Sequence, residues 1–333
     1  MKSLIMKNLI GLFVVVMISQ IGYSQQIPIF SLYNENGYVI NPAITGSSGH
    51  PVASVSYRDQ WSGIQDRPKT FSGGYRMPIY SKGDRFQRAD NFIGVGAYIL
   101  YDVTGPTSYT QGAITYAYHI SFAKINPFGW ARFLRNSHIS IGLTASVIQY
   151  RLNATLLTPE MANDQLVISA DNGKVLPNAG AGIYYYYDNF YLGFSAPQLI
   201  PLKVKYEDES GAASIKKVNH FFLVVGGKIP LGGDVPRGHY HKFYIEPMVW
   251  FKTVKNAPYQ YDIYTRFRYK NSVWFGTGYR SSKTIIIDAG VMINEQFKIG
   301  YAYDLPINSN RSNFGSTHEI VLSYHFTKEK RRY

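Results

Sequence analysis

The chain has 333 residues, with 34 basic and 21 acidic side chains and a formal net charge of +13. Cysteine is absent, which excludes a disulfide framework and a thiolate metal site. Aromatic residues make up 16% of the chain, a content typical of a membrane barrel with aromatic girdles at both interfaces. The basic side chains are scattered rather than gathered on one face or helix, which argues against a nucleic-acid role.

Residues 1–24 have the pattern of an export signal. Two lysines precede the apolar run Leu9–Ile18, and Gly22–Ser24 forms a small-x-small cleavage site before Gln25. The apolar run is too short to cross a bilayer as a helix, and no later run reaches the ~20 apolar residues that a spanning helix needs. With the two-faced strands described below, this pattern predicts a bacterial outer-membrane protein cleaved near Ser24-Gln25.

The next segment, 25–49, lacks the alternation of a strand. Asn41-Pro42 followed by Gly46 is turn chemistry, and the stretch Phe30–Gly37 is compatible with a short helical turn. The sequence therefore predicts a non-strand N-terminal segment ahead of the β-structure.

From residue 50 to residue 327 the sequence repeatedly alternates apolar and polar side chains, most clearly in Gln260–Tyr269 and Gln296–Asp304. Such alternation is typical of strands whose two faces meet different solvents. The ~10-residue strand length, aromatic strand ends and very short turns predict an all-β transmembrane antiparallel barrel, apolar outside and polar inside. About fourteen strands are expected, at 52–61, 69–78, 91–102, 107–121, 137–152, 178–187, 189–196, 218–230, 241–254, 259–270, 272–281, 283–293, 295–304 and 317–327. The last residues, 328–333, form a basic tail.

Strand parity assigns the connections to two sides if both termini are periplasmic. Tight turns at Asp188-Asn189, Asn271 and Asn294 then lie in the periplasm, and the long connections 153–177, 197–217 and 305–316 lie outside. Two long connections, 79–90 and 122–136, fall on the periplasmic side. They indicate either misplaced strand ends or docking surfaces for periplasmic partners.

Several charged residues lie on the polar side of the strands and are expected in the lumen: Asp262, Arg266, Arg268, Lys298 and Asp304. For any single residue, pairing across the interior is favoured over gripping a plug or a partner, because charges in a low-dielectric lumen must be compensated. A fourteen-stranded barrel is wider than the eight-stranded type that side chains fill, so water or another element must occupy it. The segment 25–49 is the nearest candidate plug.

Two motifs at opposite ends of the mature chain resemble the PorP/SprF family. The first comprises Asn41, Pro42, Gly46, Tyr57, Arg58, Gln60, Trp61 and Pro68, and the second is the closing-strand sequence 315–324, which contains Glu319. Position 59 is aspartate where asparagine or a similar residue is expected, and the middle of the chain matches the family in pattern only.

Members of that family are outer-membrane components of the type IX secretion system of Bacteroidetes. The resemblance implies a non-enzymatic barrel that supports secretion and surface attachment of an adhesin-type cargo through the cargo's C-terminal secretion domain, with a link to gliding motility. The implied partners are this cargo, other outer-membrane and periplasmic components of the system, and the lipid bilayer, without nucleic acid.

The sequence does not predict catalytic, metal-binding or cofactor-binding residues. Gly193–Pro197 resembles a nucleophile elbow only loosely, since it lacks the second glycine and a following helix. The pairs Gly94/Gly96 and Gly180/Gly182 lie inside strands, where glycine leaves room in a lumen or relieves a bend. An outer-membrane channel for small solutes, with a basic lumen that favours anions, is the alternative function.

Overall fold

The computed structural model describes residues 29–80, 91–122, 137–153, 173–187, 189–200, 202–208, 211–217, 219–232, 241–254, 257–270, 272–307 and 314–327. For residues 202–217 the description covers the backbone alone. The predicted export signal, the basic tail 328–333 and the inner parts of connections 79–90, 122–136 and 153–177 lie outside the described residues.

The described chain contains seventeen strands and two short helices. The helices are α1 (Tyr33–Ile40) and a 3-10 helix (Pro42–Ile44). The strands are β1 (Val52–Asp59), β2 (Lys69–Ile79), β3 (Phe92–Thr104), β4 (Thr107–Ser121), β5 (His138–Leu152), β6 (Lys174–Tyr187), β7 (Phe190–Ala196), β8 (Leu202–Asp208), β9 (Gly211–Lys217), β10 (His220–Gly227), β11 (Ile229–Leu231), β12 (Phe243–Val254), β13 (Gln260–Tyr269), β14 (Val273–Arg280), β15 (Thr284–Ile293), β16 (Phe297–Pro306) and β17 (Thr317–His325).

Fourteen of these strands form a closed antiparallel barrel, which confirms the predicted fold. Neighbours in the chain pair with each other, β7 pairs with β10, β10 pairs with β12, and the β1–β17 pair closes the cylinder. Closure matters because a lipid-exposed sheet edge would leave backbone N–H and C=O groups without partners.

The two faces of the wall differ as the alternation predicts. On β1, Tyr57 points outward and is 42% exposed, whereas the next residue, Arg58, points inward and is 2% exposed. On β16, Ile299 is 39% exposed and its neighbour Lys298 is 8% exposed. The prediction of an apolar exterior and a polar interior is therefore confirmed.

Three predicted boundaries are wrong. Strand β6 begins at Lys174 rather than at residue 178, because its partner β5 extends the ladder through Pro177. The predicted strand 218–230 is divided at Lys228 into β10 and β11. The predicted loop 197–217 contains the β8–β9 hairpin, a separate two-stranded sheet whose alternation, from Leu202 to Tyr206, is visible in the sequence.

The described part of the N-terminal segment, residues 29–49, is named here the lumen segment. It is largely buried, and its contacts lie on strands around the barrel, so it occupies the interior. Helix α1 runs from Tyr33 to Ile40, a few residues later than the predicted turn. It ends there because Pro42 forces the preceding Asn41 into extended backbone, with φ −124° and ψ 106°.

The two ends of the barrel carry different connections. The terminal end is defined as the one where β1 begins and β17 ends, and the loop end is the opposite one. The tight turns β6–β7, β13–β14 and β15–β16 share the terminal end, as predicted. In the last of these, Asn294 and Glu295 have φ of 51° and 56°, the pattern of a type I′ hairpin turn.

Within the described ranges, neither helix is sufficiently long and apolar to cross a membrane.

Candidate functional site

The candidate site is the contact between the lumen segment and the barrel wall, and its centre is Glu319 on β17. This carboxylate accepts the backbone N–H groups of Ser31 at 2.6 Å and Leu32 at 3.2 Å, and the side-chain amide of Asn36 at 3.1 Å. A helix N-terminus leaves N–H groups without intrahelical partners and favours negative charge. Glu319 thus anchors the start of α1 to the closing strand of the barrel.

Arg58 on β1 completes this contact. It lies opposite Glu319 in the β1–β17 register and donates to that carboxylate at 2.9 Å. It also donates to Ser31 Oγ at 2.7 Å and to Asp304 at 2.8 Å. Ser31 Oγ in turn donates to Asp304 at 2.7 Å. All four side chains are buried, so the opposite charges of Arg58 and the two carboxylates compensate one another away from water.

The cluster continues along the wall through Arg280 on β14. Arg280 donates to Asp304 at 3.0 Å and to Asp262 on β13 at 2.9 Å. Asp262 and Asp304, both predicted to lie in the lumen, therefore share one guanidinium. Arg280 is not among the lumen residues predicted from the sequence, although its place at the end of a predicted strand was a usable signal.

A second cluster surrounds Glu35 on α1. Lys298 Nζ donates to its carboxylate at 2.6 Å, and Arg266 donates to it at 3.4 Å. Arg266 also contacts Asp288 at 3.3 Å, and Asp288 accepts the indole N–H of Trp274 at 2.8 Å. The lumen residues Lys298 and Arg266 thus bind the lumen segment, and Arg266 also contacts the wall.

The electrostatics of Glu35 reflect this environment. Burial alone would raise the pKa of its carboxyl, but the positive charges of Lys298 and Arg266 outweigh burial. The pKa is therefore lowered from 4.5 to about 2, and the group is ionised at neutral pH. Glu35 is not among the residues predicted from the sequence, although a lone acidic residue in the candidate plug is a usable signal.

Arg268, like Asp262, pairs with a residue of a neighbouring wall strand rather than with the lumen segment. It forms a two-pronged ion pair with Glu246 on the neighbouring strand β12, with distances of 2.7 and 2.9 Å. This pair joins two wall strands, as expected for charges that compensate each other within the wall.

Glycines in the wall admit the turn of the lumen segment. A Cβ at Gly94 would collide with the Thr45 carbonyl oxygen, and one at Gly182 would collide with the Asn41 amide oxygen. Gly142, which the sequence analysis did not single out, would collide with the backbone at Ala43. The interpretation that strand glycines leave room in the lumen therefore fits Gly94 and Gly182.

The turn itself is fixed by local chemistry. The Asn41 side chain accepts the Ala43 N–H at 3.0 Å and donates to the Ile183 carbonyl on β6 at 3.3 Å. Pro42 supplies the fixed φ suited to the first helical position. Gly46 has φ +88°, a conformation that L side chains rarely adopt.

The remaining motif residues lie elsewhere. Tyr57 is on the outer face of β1. At the loop end, the Gln60 N–H donates to the Pro68 carbonyl at 2.9 Å, which closes the β1–β2 connection. Trp61 has φ 61°, and its ring lies 5.5 Å from that of Phe314, which precedes β17. Apart from Tyr57, the motif residues thus lie either at the contact with the lumen segment or at the loop end.

Within the described part of the chain, His, Cys, Asp and Glu residues do not form a group of three or more that could hold a metal ion.

Comparison with solved structures finds other barrels at low sequence identity. The outer membrane protein Omp33 of Acinetobacter baumannii is 7% identical, with a TM-score of 0.43 over 83% of this chain and 98% of that chain. The monoaromatic hydrocarbon channel CymD is 11% identical, with a TM-score of 0.46 over 89% of this chain and 94% of that chain. A deletion mutant of the channel TodX is 10% identical, with a TM-score of 0.46 over 89% and 95%. No curated protein matches the chain significantly.

The sequence as a whole identifies the family. Residues 22–324 match the family described as type IX secretion system membrane protein PorP/SprF, a match that spans the lumen segment and the whole barrel wall. Its members are secretion-system membrane barrels and it is not a known enzyme family, and membership implies interaction with other secretion components and with cargo. The chain therefore belongs to the PorP/SprF family of type IX secretion system membrane proteins.

Proposed function

We propose that this protein is a docking barrel that supports secretion and surface attachment of a partner adhesin-type cargo through the cargo's C-terminal secretion domain. In this account the barrel wall is a rigid support, the lumen is filled by the chain's own segment, and partners bind at the two ends. The observation that carries the proposal is the anchoring of the lumen segment by Glu319 and Glu35.

The energetics of these anchors favour docking over solute transport. Withdrawing the segment would take the buried Glu35 away from Lys298 and Arg266. It would also remove the N–H donors of the segment from the buried carboxylate of Glu319, which stays on the wall. Removal of one partner from a buried ion pair costs about 3–5 kcal/mol. A channel that opens spontaneously would have to meet this cost at Glu35 and also lose the hydrogen bonds that the segment donates to Glu319.

The loop end is the proposed cargo surface. Trp61 and Phe314 bring the β1–β2 and β16–β17 connections into contact, and Trp61 remains 38% exposed. The β8–β9 hairpin lies in the connection between β7 and β10, at the same end. Exposed aromatic side chains on a supported loop are suitable anchors, because few residues carry most of the affinity in protein interfaces.

The terminal end is the proposed periplasmic side. Strands β2 and β4 both end here, and the connections 79–90 and 122–136 that follow them are proposed to meet periplasmic components of the secretion system. The fold and the family fit the outer membrane. Export by a signal peptide cleaved near Ser24-Gln25 is part of the same proposal.

Gene deletion tests the proposal. A strain lacking the protein should retain one specific adhesin inside the cell while its permeability to small solutes is unchanged. Re-expression of the wild-type chain should restore display. Restoration of display by the Trp61→Ala variant should be weaker than restoration by the Tyr259→Ala variant. Tyr259 is the control because it is an exposed aromatic residue at the same end, on the β12–β13 connection.

Two outcomes would contradict the docking function. Normal surface display of every secreted protein in the deletion strain would remove its basis. Loss of uptake of a small anion, with normal display, would instead support the alternative of a channel with a basic lumen.

A further inference from the structure

A cavity of about 330 Å³ lies between α1 and the barrel wall. Its lining includes Tyr187 and Phe190, which flank the β6–β7 turn, so it is located at the terminal end. Tyr191 donates to the Asn34 side chain across this region at 3.3 Å, which ties the helix to β7 beside the cavity. Its volume is at the lower end of the range for small-molecule sites, about 300–1,000 Å³.

The charges around the cavity are unbalanced. Five cationic side chains line it: Arg76, Lys228, Arg266, Arg268 and Lys298. Three carboxylates pair with members of this set: Glu35 with Lys298 and Arg266, Glu246 with Arg268, and Asp288 with Arg266. These carboxylates meet Arg266, Arg268 and Lys298, whereas Arg76 adds a positive charge that no carboxylate of the described residues pairs with. In a partly enclosed site of low dielectric such a charge attracts an anion.

Arg76 on β2 is the cation best placed to receive that anion. Its guanidinium donates to Ser54 Oγ at 3.1 Å and lies 4.3 Å from the centre of the Tyr38 ring. Across the described residues, no carboxylate lies within ion-pairing distance of Arg76. A guanidinium has five N–H donors in a fork that matches carboxylate and phosphate groups.

The uncharged part of the lining is mainly aromatic. Tyr33 from α1, Tyr184 from β6 and Tyr191 from β7 all contribute to the wall. Aromatic walls with a few charged groups are typical of sites for compact organic ligands, because the rings supply apolar contact and the charges fix orientation.

We propose that this cavity binds a compact organic anion whose carboxylate or phosphate group is held by Arg76 and whose ring-bearing body packs against the tyrosines. The ion pairs of Glu35 with Lys298 and Arg266 form part of the lining, and Arg76 takes no part in them. The site does not depend on the docking function, so either proposal can fail alone.

Calorimetric titration of the purified full-length protein in an uncharged detergent tests the site. The probes are benzoate, phenyl phosphate, inorganic phosphate and the neutral isostere benzamide. At least one of the two ring-bearing anions should saturate with a dissociation constant below about 1 mM, and benzamide should not. The tighter of the two identifies the preferred anionic group.

Matched variants locate the binding. Arg76→Gln should weaken binding about tenfold or more, since it removes the charged donor, and Lys228→Gln should weaken it less. Lys69→Gln removes one positive charge at the opposite end of β2, where the side chain is exposed, and should leave affinity unchanged. Heat-dependent gel migration of the barrel confirms that each variant is folded.

Several results would overturn the proposal. These are failure of both ring-bearing anions to saturate, equal affinity for benzamide, and saturation by inorganic phosphate alone. Unchanged affinity in folded Arg76→Gln would do the same. If Arg76→Gln does not fold, unchanged affinity in Lys228→Gln would overturn the proposal instead.

Discussion

Arg58 and Glu319 face each other across the β1–β17 seam and join through a 2.9 Å ion pair that also holds the backbone of Ser31. The seam that closes the barrel is therefore also the place where the lumen segment is anchored. Both residues belong to the family motifs at the two ends of the chain. Their pairing gives a physical reason for arginine and glutamate at these positions.

Replacement of Glu319 should release the start of the lumen segment. Glu319→Gln leaves Arg58 without one buried partner and weakens the acceptors for Ser31 and Leu32, so the free energy of unfolding should fall by about 3–5 kcal/mol. Denaturant unfolding of the detergent-purified barrel measures this. Glu246→Gln, at a less buried wall pair, is the control and should cost less. Equal losses in the two variants would show that the contact of Glu319 with the lumen segment does not contribute to the free energy of unfolding.

The close approach at Gly94 predicts a steric effect. Gly94→Ala places a methyl group against the Thr45 carbonyl and should displace the turn. The free energy of unfolding should fall by about 1–3 kcal/mol. The lumen segment should then become more accessible to protease. Gly112→Ala on β4 is the matched control, since its Cβ would have open space. A protease pattern that is the same in both variants would refute this view of the turn.

The two faces of β16 predict opposite responses to arginine. Ile299→Arg places a charge on the lipid face, which is destabilising to a degree that depends on depth in the bilayer, and should lower the yield of folded protein in membranes. Lys298→Arg keeps the charge beside Glu35 and should fold normally. Equal yields of heat-modifiable barrel from the two variants would mean that the face assignment is wrong.

The lumen segment should be held less tightly in acid than at neutral pH. The pKa of Glu35 is lowered from 4.5 to about 2, so its contribution to stability is complete above pH 4.5 and is lost as the pH falls towards 2. Protease accessibility of the segment should rise over this window. Glu35→Gln cannot titrate, so its accessibility should vary less with pH. A wild-type profile parallel to that of the variant would contradict the assigned role of Glu35.

Strand number and side-chain direction were predictable from the sequence because every wall residue faces either lipid or lumen. Neighbouring residues of a strand point to opposite faces, so the alternation of apolar and polar residues indicates which residue faces which side. Asp262 and Lys298 were accordingly expected inside, where the structure places them. The partner of Lys298 was not predictable. Glu35 lies 263 positions away in the chain, and no local pattern indicates which buried charge meets which.

Other features were missed for different reasons. The β8–β9 hairpin shows alternation, but it lies outside the closed wall and a count of wall strands has no place for it. Gly142 looks like any strand glycine until Ala43 is seen against it. The exact span of α1 depends on Pro42 and on burial in the lumen, and the sequence shows only the proline.

Conductance of the purified wild-type protein in planar bilayers tests the central claim most directly, namely that the chain's own segment fills the lumen and the barrel serves as a docking platform. The account predicts no large stable ohmic conductance at neutral pH, where Glu35 and Glu319 hold the segment against the wall. A large, stable ohmic conductance from the wild-type barrel would contradict it and would support the channel function.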